Sequence, residues 1–267
     1  MATEVDIKQL LEAGAHFGHK TSRWHPKMAP YIHSKRNGSH VIDLTKTVEG
    51  FDKALAAIEE AVASGRQILF VGTKRQAQEI VKQTAIETGM PYVTERWLGG
   101  LLTNKSTMAG RIKHLKDLET KMESGELASR YIKLEVQRFQ EEIDKMNRNF
   151  GGVKDMIGSP AIVFIVDVPT EQIAVKEAHI VGAKVVALVD TNADPTSIDY
   201  VIPCNDDAIK TIQLALDYIK QAIEAGKGKS KSSPDKDEVK PAKAAKPAPK
   251  EAKEEKPAEE VKEGGEK

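Results

Sequence analysis

The stretch AIVFIVDVPTEQIAVKEAHIVGAKVVALVD, residues 161–190, decides the fold class. It begins with one continuous apolar run, AIVFIVD, and ends with another, KVVALVD. Uninterrupted apolar runs of this length are typical of parallel strands that are covered on both faces. Between the runs, apolar residues recur at the three- and four-residue steps of a helix: Ile173, Ala174, Ala178 and Val181. The stretch therefore predicts a strand, a crossover helix and a second, parallel strand.

The same alternation of strand and helix continues on both sides of this unit. On the N-terminal side, QILFV (67–71) precedes a helical pattern, and a short strand is predicted near PYVT (91–94). On the C-terminal side, YVIP (200–203) precedes a helix. The apolar positions of these two helices are Ala77, Ile80, Val81 and Ala85, and Ile209, Ile212, Leu216, Ile219 and Ile223. Alternation of this kind predicts an α/β fold with a doubly wound parallel sheet.

Two segments depart from this alternation. In YIHSKRNGSHVID (31–43), the Asn-Gly pair predicts an exposed hairpin, and a helix through Leu55, Ile58 and Val62 follows it. Residues 105–150 predict two amphipathic helices joined by a turn at Gly125, an inserted antiparallel coiled-coil hairpin that projects from the sheet. Its apolar positions are Met108, Ile112, Leu115 and Met122, then Leu127, Tyr131, Leu134, Ile143, Met146 and Phe150.

Composition divides the chain into folded and unfolded parts. From Lys227 onward there is no aromatic residue and no Leu, Ile, Met or Phe, so this segment lacks the apolar surface needed for folding and is predicted to be disordered. The predicted organisation is a basic arm and hairpin (1–50), a sheet domain (51–104 and 151–226), the helical hairpin (105–150) and a charged tail (227–267). Lysines outnumber acids in the tail, so the folded part of this net-neutral chain is slightly acidic.

Cysteine content and hydropathy indicate a soluble cytoplasmic protein. Cys204 is the sole cysteine, which excludes an internal disulfide framework and disfavours a thiolate zinc site. The apolar run that begins at Ala161 is too short to cross a bilayer, and Glu4 and Asp6 lie where a signal peptide carries basic residues. We therefore expect no membrane association.

Several residues suggest a catalytic or ligand site, but each signal is weak. FVGTKRQ (70–76) places Thr73 and Lys74 after a strand, yet it lacks the further glycines of a phosphate-binding loop. Asp167 and Asp190 end strands, as in a phosphoacceptor domain, but strand ends and helix caps also favour Asp. A nucleotide-binding or phosphoacceptor domain remains the alternative function. His16 and His19 could ligate a metal with a distant carboxylate, so metal binding stays open, and no cofactor or small-molecule substrate is expected.

The N-terminal arm carries the strongest functional signal. Residues 13–42 contain no Asp or Glu, although they contain five histidines, several Lys and Arg residues, and Phe17, Trp24 and Tyr31. Phosphate-binding surfaces need cations without competing carboxylates, and aromatic rings can stack on unpaired bases. RWLGGLLTNKSTMAGRIKHLK (96–116) repeats this pattern. Both segments predict RNA contact, although Trp24 and Trp97 could equally be core residues.

The motifs of this chain resemble those of a known family. They are LLEAGAHFGHKTSRWHPKMAPYI, RNGSHVIDLTKT, VGTKRQAQ, RWLGGLLTN, GGVKDM, VALVDTNADP and DYVIPCNDDAIK. Together they are similar to the bacterial form of small ribosomal subunit protein two, in the same order and from about Ile7 to Ile219.

This resemblance implies a flavodoxin-like domain with a protruding coiled-coil hairpin, and a structural, non-catalytic role in translation. It implies that the chain binds small-subunit ribosomal RNA and neighbouring small-subunit proteins. It also implies that the chain supports docking of the large OB-repeat ribosomal protein number one. The residues expected to contact RNA or assembly partners are His16, His19, Arg23, Trp24, Lys27, Lys35, Arg36, Lys74, Arg75, Arg96, Lys105, Arg111 and Lys113.

Overall fold

The computed structural model describes residues 5–231, and side chains through residue 229. The N-terminal arm begins with helix α1 (Ile7–Ala13), followed by strands β1 (Phe17–Lys20), β2 (Ile32–Arg36) and β3 (Ser39–Ile42). These strands form an antiparallel sheet in the order β1-β3-β2. The predicted hairpin between β2 and β3 is confirmed, and its turn has φ values of 50° at Asn37 and 77° at Gly38, which only residues such as Asn and Gly adopt readily. Strand β1 was not predicted.

The rest of the described chain builds a larger sheet and its covering helices. The elements are α2 (Leu44–Ala63), β4 (Ile68–Val71), α3 (Gln78–Thr88), β5 (Tyr92–Val93), α4 (Lys105–Glu123), α5 (Glu126–Arg130), α6 (Lys133–Phe150), β6 (Ile162–Val166), α7 (Gln172–Ile180), β7 (Lys184–Val189), β8 (Tyr200–Pro203) and α8 (Ile209–Lys231).

The second sheet has the topology that the strand–helix alternation predicts. Its strands are all parallel and lie in the order β5-β4-β6-β7-β8. This is the strand order of a flavodoxin-like sheet, in which the chain winds outward from β4 in both directions. The carboxyl ends of β4, β6, β7 and β8 therefore meet at one edge.

Each face of this sheet supports its own apolar core. Side chains of successive strand residues point to opposite faces, so Phe70 and Phe164 join the core beneath α2, α3 and α8, with ring centroids 5.7 Å apart. Leu69 and Ile165 join the other core, under α7 and the bases of α4 and α6. Met28 of the arm and Trp97 belong to this second core.

The segment between β5 and β6 is helical, but its second half differs from the prediction. The backbone is extended at Tyr131 (φ −120°, ψ 155°), so a short α5 precedes α6 instead of one continuous helix. The carboxylate of Glu135 accepts a hydrogen bond from the backbone N–H of Ile132, which favours a new helix start there. Tyr131 and Leu134, predicted as apolar contact positions, are exposed. Helices α4 and α6 contact each other.

Other predicted positions also differ in detail. Ile173 and Ile209 are exposed on α7 and α8, whereas Ala174 and Ile212 of the same helices are buried. Helix α8 continues through Lys227 to Lys231, so the first residues assigned to the tail are helical. The remainder of the predicted tail lies outside the described residues. None of the helices described combines the length and apolar composition needed to cross a membrane.

Candidate nucleic-acid interface

The arm is attached to the carboxyl edge of the parallel sheet by hydrogen bonds from its backbone to Thr191, which lies shortly after β7. The Thr191 hydroxyl accepts a hydrogen bond from the backbone N–H of His19 at 2.9 Å. The Thr191 carbonyl accepts one from the backbone N–H of His25 at 2.7 Å. Gly18 makes this approach possible, since a Cβ there would lie 2.6 Å from the Thr191 methyl group. The arm's position is therefore fixed by a distant part of the chain.

The imidazole of His19 lies between two aspartates from this edge. Its Nδ1 is 3.0 Å from Oδ2 of Asp190, which is buried, and its Nε2 is 3.5 Å from Oδ2 of Asp207. The hydrogen bond to Asp190 raises the pKa of His19, because the carboxylate stabilises the charged imidazolium. Although predicted as an RNA contact, His19 is engaged by carboxylates of its own chain.

Lys74 joins the same cluster from the end of β4. Its ammonium lies 2.7 Å from Oδ1 of Asp206 and 2.6 Å from Oδ1 of Asp207. Burial alone would lower the pKa of Lys74, but the bonds to these two carboxylates raise it. Burial and the nearby Asp190 charge raise the pKa of Asp206 to about 6. Lys74 is thus unavailable as the free cation that a nucleotide phosphate would need.

The cluster also has the composition of a divalent-cation site. His19, Asp190, Asp206 and Asp207 each offer one ligand atom, and these atoms all lie within 4.8 Å of one another. One imidazole nitrogen with carboxylate oxygens is a ligand set that Zn²⁺ accepts. The sequence pair His16 and His19 does not form this site, because the ring of His16 stacks on Phe17 at 4.0 Å instead.

A second ion pair joins the arm to the loop after β7. The ammonium of Lys27 lies 2.9 Å from Oδ2 of Asp194, and Nε2 of His25 is 4.0 Å from the same oxygen. Hydrogen bonds from the Thr196 hydroxyl, the Thr196 backbone and Lys27 hold the pKa of Asp194 well below its usual range. The charge of Lys27 is therefore partly neutralised within the chain.

The half-buried Trp24 ring packs against neighbouring side chains of the arm. His40 stacks on it at a centroid distance of 5.1 Å, and the Lys35 ammonium lies 5.8 Å from its centroid. His40 is buried, and both of its ring nitrogens lack hydrogen-bond partners within the described chain. Burial lowers the pKa of both His40 and His16. Trp24 is half-buried and packs against the His40 and Lys35 side chains within the arm.

The remaining predicted cations of the arm and of β4 project into solvent. Arg23, Arg36 and Arg75 are exposed, and none of them forms an ion pair within residues 5–231. Lys35 is also exposed, and its ammonium lies 5.8 Å from the centroid of the Trp24 ring. These side chains keep their charge available for a polyanion.

In the second basic segment, Trp97 is a core residue, so the alternative noted from the sequence is the one observed. Its side chain is buried, and its indole Nε1–H donates to the Glu177 carboxylate at 3.1 Å. Arg96, directly before it, is exposed. Lys105 is exposed as well, and its ammonium bonds the Ser159 hydroxyl at 2.5 Å.

Helix α4 distributes the other predicted residues over two different sides. Lys105 and Lys113 line a groove of about 520 Å³ between α4 and residues 153–158, whereas Arg111 lines a separate groove of about 660 Å³ toward α6. Arg111 and Lys113 form no ion pair within the described residues. The predicted second patch is therefore divided, with Arg96 and Lys105 flanking the 97–103 loop.

Sequence reasoning missed two residues that organise these surfaces, Thr191 and Glu177. Thr191 carries no distinctive pattern in the sequence. Glu177 had a usable signal, because it shares a helix face with Ala174, Ala178 and Val181 and is thus a carboxylate on an apolar stripe. Its buried position shows that such a residue needs several hydrogen-bond donors nearby.

Comparison with known proteins places this geometry in a family context. Residues 10–226 match the sequence profile of a family described as Ribosomal protein S2. The chain is 53% identical over 229 residues to the small ribosomal subunit protein uS2 of Chloroflexus aggregans, covering 86% of this chain and 96% of the relative. It is 51% identical over 228 residues to the protein of that name from a Roseiflexus species, covering 85% and 87%. For the one from Fusobacterium nucleatum the identity is 47% over 236 residues, covering 88% and 96%.

Proposed function

The chain belongs to the ribosomal protein S2 family, and we propose that within the small ribosomal subunit it is a structural constituent that binds ribosomal RNA through its unpaired basic side chains. The observation that carries this proposal is the match over residues 10–226. The relatives are named as small-subunit proteins and not as enzymes, so the chain is a ribosomal protein and not an enzyme. Its location is accordingly the cytoplasmic small subunit.

The basic side chains of the arm and of the end of β4 divide into two functional groups. Arg23, Lys35 and Arg36 have no carboxylate partner within the described chain, so neutralising phosphates with them releases counterions without breaking an ion pair. His19, Lys27 and Lys74 bond to aspartates at 3.0 Å or less. We assign the first group, with Arg75, to RNA contact, and the second group to holding the arm on the sheet.

Arg96, Lys105, Arg111 and Lys113 extend this RNA-binding surface toward helix α4. All four are exposed. His16 and Trp24 support it from within the arm, through the Phe17 and His40 ring contacts. In this proposal the aromatic residues shape the arm, and most of the affinity comes from phosphates.

The proposal includes the helical insertion and the protein partners. Contacts between α4 and α6 support a projecting antiparallel coiled coil over residues 105–150, set on a sheet domain of 51–104 and 151–226. Exposed Tyr131 and Leu134 near its far end offer an apolar surface to a neighbouring small-subunit protein. Support for docking of the large OB-repeat ribosomal protein number one follows from the family resemblance.

Sedimentation of tagged full-length protein from a cell lysate tests the proposal. On a sucrose gradient, wild-type protein should migrate with small subunits. The double variant Arg23→Glu, Arg36→Glu should migrate near the top, because it reverses two cations that no carboxylate of the described chain holds.

The matched control reverses the charges of Lys82 on α3 and Lys210 on α8. Both side chains are exposed, and their helices cover the core that contains Phe70 and Phe164. This control should still migrate with small subunits. Circular dichroism should show that all three proteins are folded. Wild-type protein that stays at the top of the gradient would overturn the proposal, and a double variant that assembles normally would remove the arm from the RNA-binding surface.

A further inference from the structure

We propose that Glu177, which lies outside both basic segments, is the residue that positions Arg96 and Lys105 for RNA by holding the 97–103 loop in one conformation. This inference rests on the proposed RNA-binding function. It concerns a carboxylate, a group that would ordinarily repel RNA. Its role is therefore indirect, through the shape of the loop.

Both carboxylate oxygens of Glu177 are used entirely by this loop. Oε1 accepts from the Trp97 indole at 3.1 Å and from the Gly100 backbone N–H at 2.7 Å. Oε2 accepts from the backbone N–H groups of Leu102 at 3.1 Å and Thr103 at 3.2 Å, and from the Thr103 hydroxyl at 3.1 Å. The side chain is only 6% exposed, so the loop encloses the carboxylate.

Neutral donors alone compensate the charge of Glu177 in the described part of the chain. Burial by itself would raise its pKa, but the hydrogen bonds from Gly100, Trp97, Leu102 and Thr103 hold that pKa below the ordinary value. Backbone N–H groups that converge in this way form an anion-binding concavity. Because the anion is part of the protein, the loop is organised before any phosphate arrives.

The loop has little freedom once it is closed around Glu177. Trp97, Leu101 and Leu102 are buried, and Gly100 has a φ of +88°, a conformation that favours glycine. The two exposed cations lie directly outside the enclosed donors: Arg96 precedes Trp97, and Lys105 begins α4. A change in the loop would therefore move both cations relative to the rest of the surface.

The decisive variant is Glu177→Gln in the full-length protein. Glutamine has the same shape, and its carbonyl oxygen can keep the donors at one carboxylate position. Its NH₂ group then faces the N–H donors of the other position, so the loop must shift. Glu79→Gln is the matched control, because Glu79 is exposed on α3 and outside the loop.

Binding to small-subunit ribosomal RNA transcribed in vitro should be measured by filter binding over a range of KCl concentrations. We expect Glu177→Gln to bind about tenfold more weakly and to lower the slope of log K against log[KCl] by about 2, as expected when two phosphate contacts are lost. The variant Arg96→Gln, Lys105→Gln should match it, and adding Glu177→Gln to that variant should cause no further loss. Glu79→Gln should bind as wild type does.

A folded Glu177→Gln protein that keeps wild-type affinity and slope would overturn the inference while leaving the proposed function intact. A loss of affinity without a change in slope would do the same, because it would indicate general destabilisation. If wild-type protein fails to bind, the proposed function fails first and the inference with it. If Glu177→Gln does not fold, the variant Thr103→Val, which removes one hydrogen-bond donor to Glu177, tests the inference instead. The same two quantities are measured, the affinity for RNA and the slope of log K against log[KCl].

Discussion

Lys74 and Asp206 form an ion pair in which the ammonium nitrogen lies 2.7 Å from a carboxylate oxygen whose side chain is 1% exposed. The pair joins the ends of β4 and β8 beneath the N-terminal arm. Asp190, also buried at this edge, raises the pKa of Asp206 together with burial. Few positive charges therefore offset the charges of these two buried aspartates, so the stability of this edge depends on pH.

The first prediction concerns the pH dependence of stability. Because the pKa of Asp206 rises from 3.8 to about 6 on folding, the native state favours its protonated form. Its stabilising contribution is present below about pH 4 and is lost as the pH rises through 6. From pH 4 to pH 7, Asp206→Asn should gain on the order of 3 kcal/mol relative to wild type, as measured by urea unfolding. A pH-independent difference between the two proteins would contradict this assignment.

The second prediction concerns the contact between Gly18 and Thr191. In Gly18→Ala the new Cβ would meet the Thr191 methyl group at 2.6 Å, so we expect a loss of about 2 kcal/mol of unfolding free energy. Thr191→Ser removes that methyl group and keeps the hydroxyl that binds the His19 backbone, so the double variant should recover part of the loss. Gly99→Ala, with open space around its Cβ, should have little effect. An additive double variant would show that the methyl contact is not the cause.

The third prediction concerns His40, whose ring nitrogens are buried without partners. His40→Phe should raise the unfolding free energy at pH 7 by about 1 kcal/mol, because it removes two unsatisfied polar atoms. Since the pKa of His40 is lowered on folding, its stabilising contribution is present above about pH 6.5 and is lost as the pH falls. The variant should consequently lose less stability than wild type between pH 7 and pH 5.

His33→Phe provides the control, because His33 is exposed on the same hairpin. It should change the unfolding free energy at pH 7 by no more than about 0.5 kcal/mol, as expected for an exposed position. If His40→Phe destabilises the protein at both pH values, a partner for one ring nitrogen must exist.

The fourth prediction concerns the cluster of His19, Asp190, Asp206 and Asp207. Zn²⁺ at about 100 times its dissociation constant should stabilise the protein by about 2.7 kcal/mol, which calorimetry detects as a higher Tm. The effect should weaken as the pH falls, because His19, whose pKa is raised by Asp190, and Asp206, whose pKa is about 6, then gain protons. Asp190→Asn should abolish the increase, whereas Asp194→Asn, in the same loop but outside the cluster, should retain it. An equal response in both variants would place the metal elsewhere.

The parallel sheet could be predicted from the sequence because its signals are local. Continuous apolar runs such as AIVFIVD are typical of strands covered on both faces, and Asn37–Gly38 favours a tight turn. Strand β1 was missed because its four residues, FGHK, have no apolar alternation. Their strand conformation depends on pairing with β3 and on Thr191, which lies far away in the sequence.

The surface could be predicted only in part, because the sequence reports a charge but not its partner. The acid-free arm correctly indicated a concentration of cations. The sequence did not indicate, however, that Lys27 pairs with Asp194, or that Lys74 after β4 pairs with Asp206. The burial of Trp97 depends likewise on its hydrogen bond to Glu177, which is eighty positions away in the sequence. Long-range pairs of this kind are invisible to local patterns.

The attachment of the arm to the end of β7 has a consequence for the order of events during synthesis. The arm leaves the ribosome exit early, whereas Asp190, Thr191 and Asp206 are among the last folded residues to be made. Contacts between such remote positions close slowly, because a long loop must be ordered first. During that interval the nascent arm is an uncompensated polycation, so its capture by nearby nucleic acid competes with its docking on the sheet.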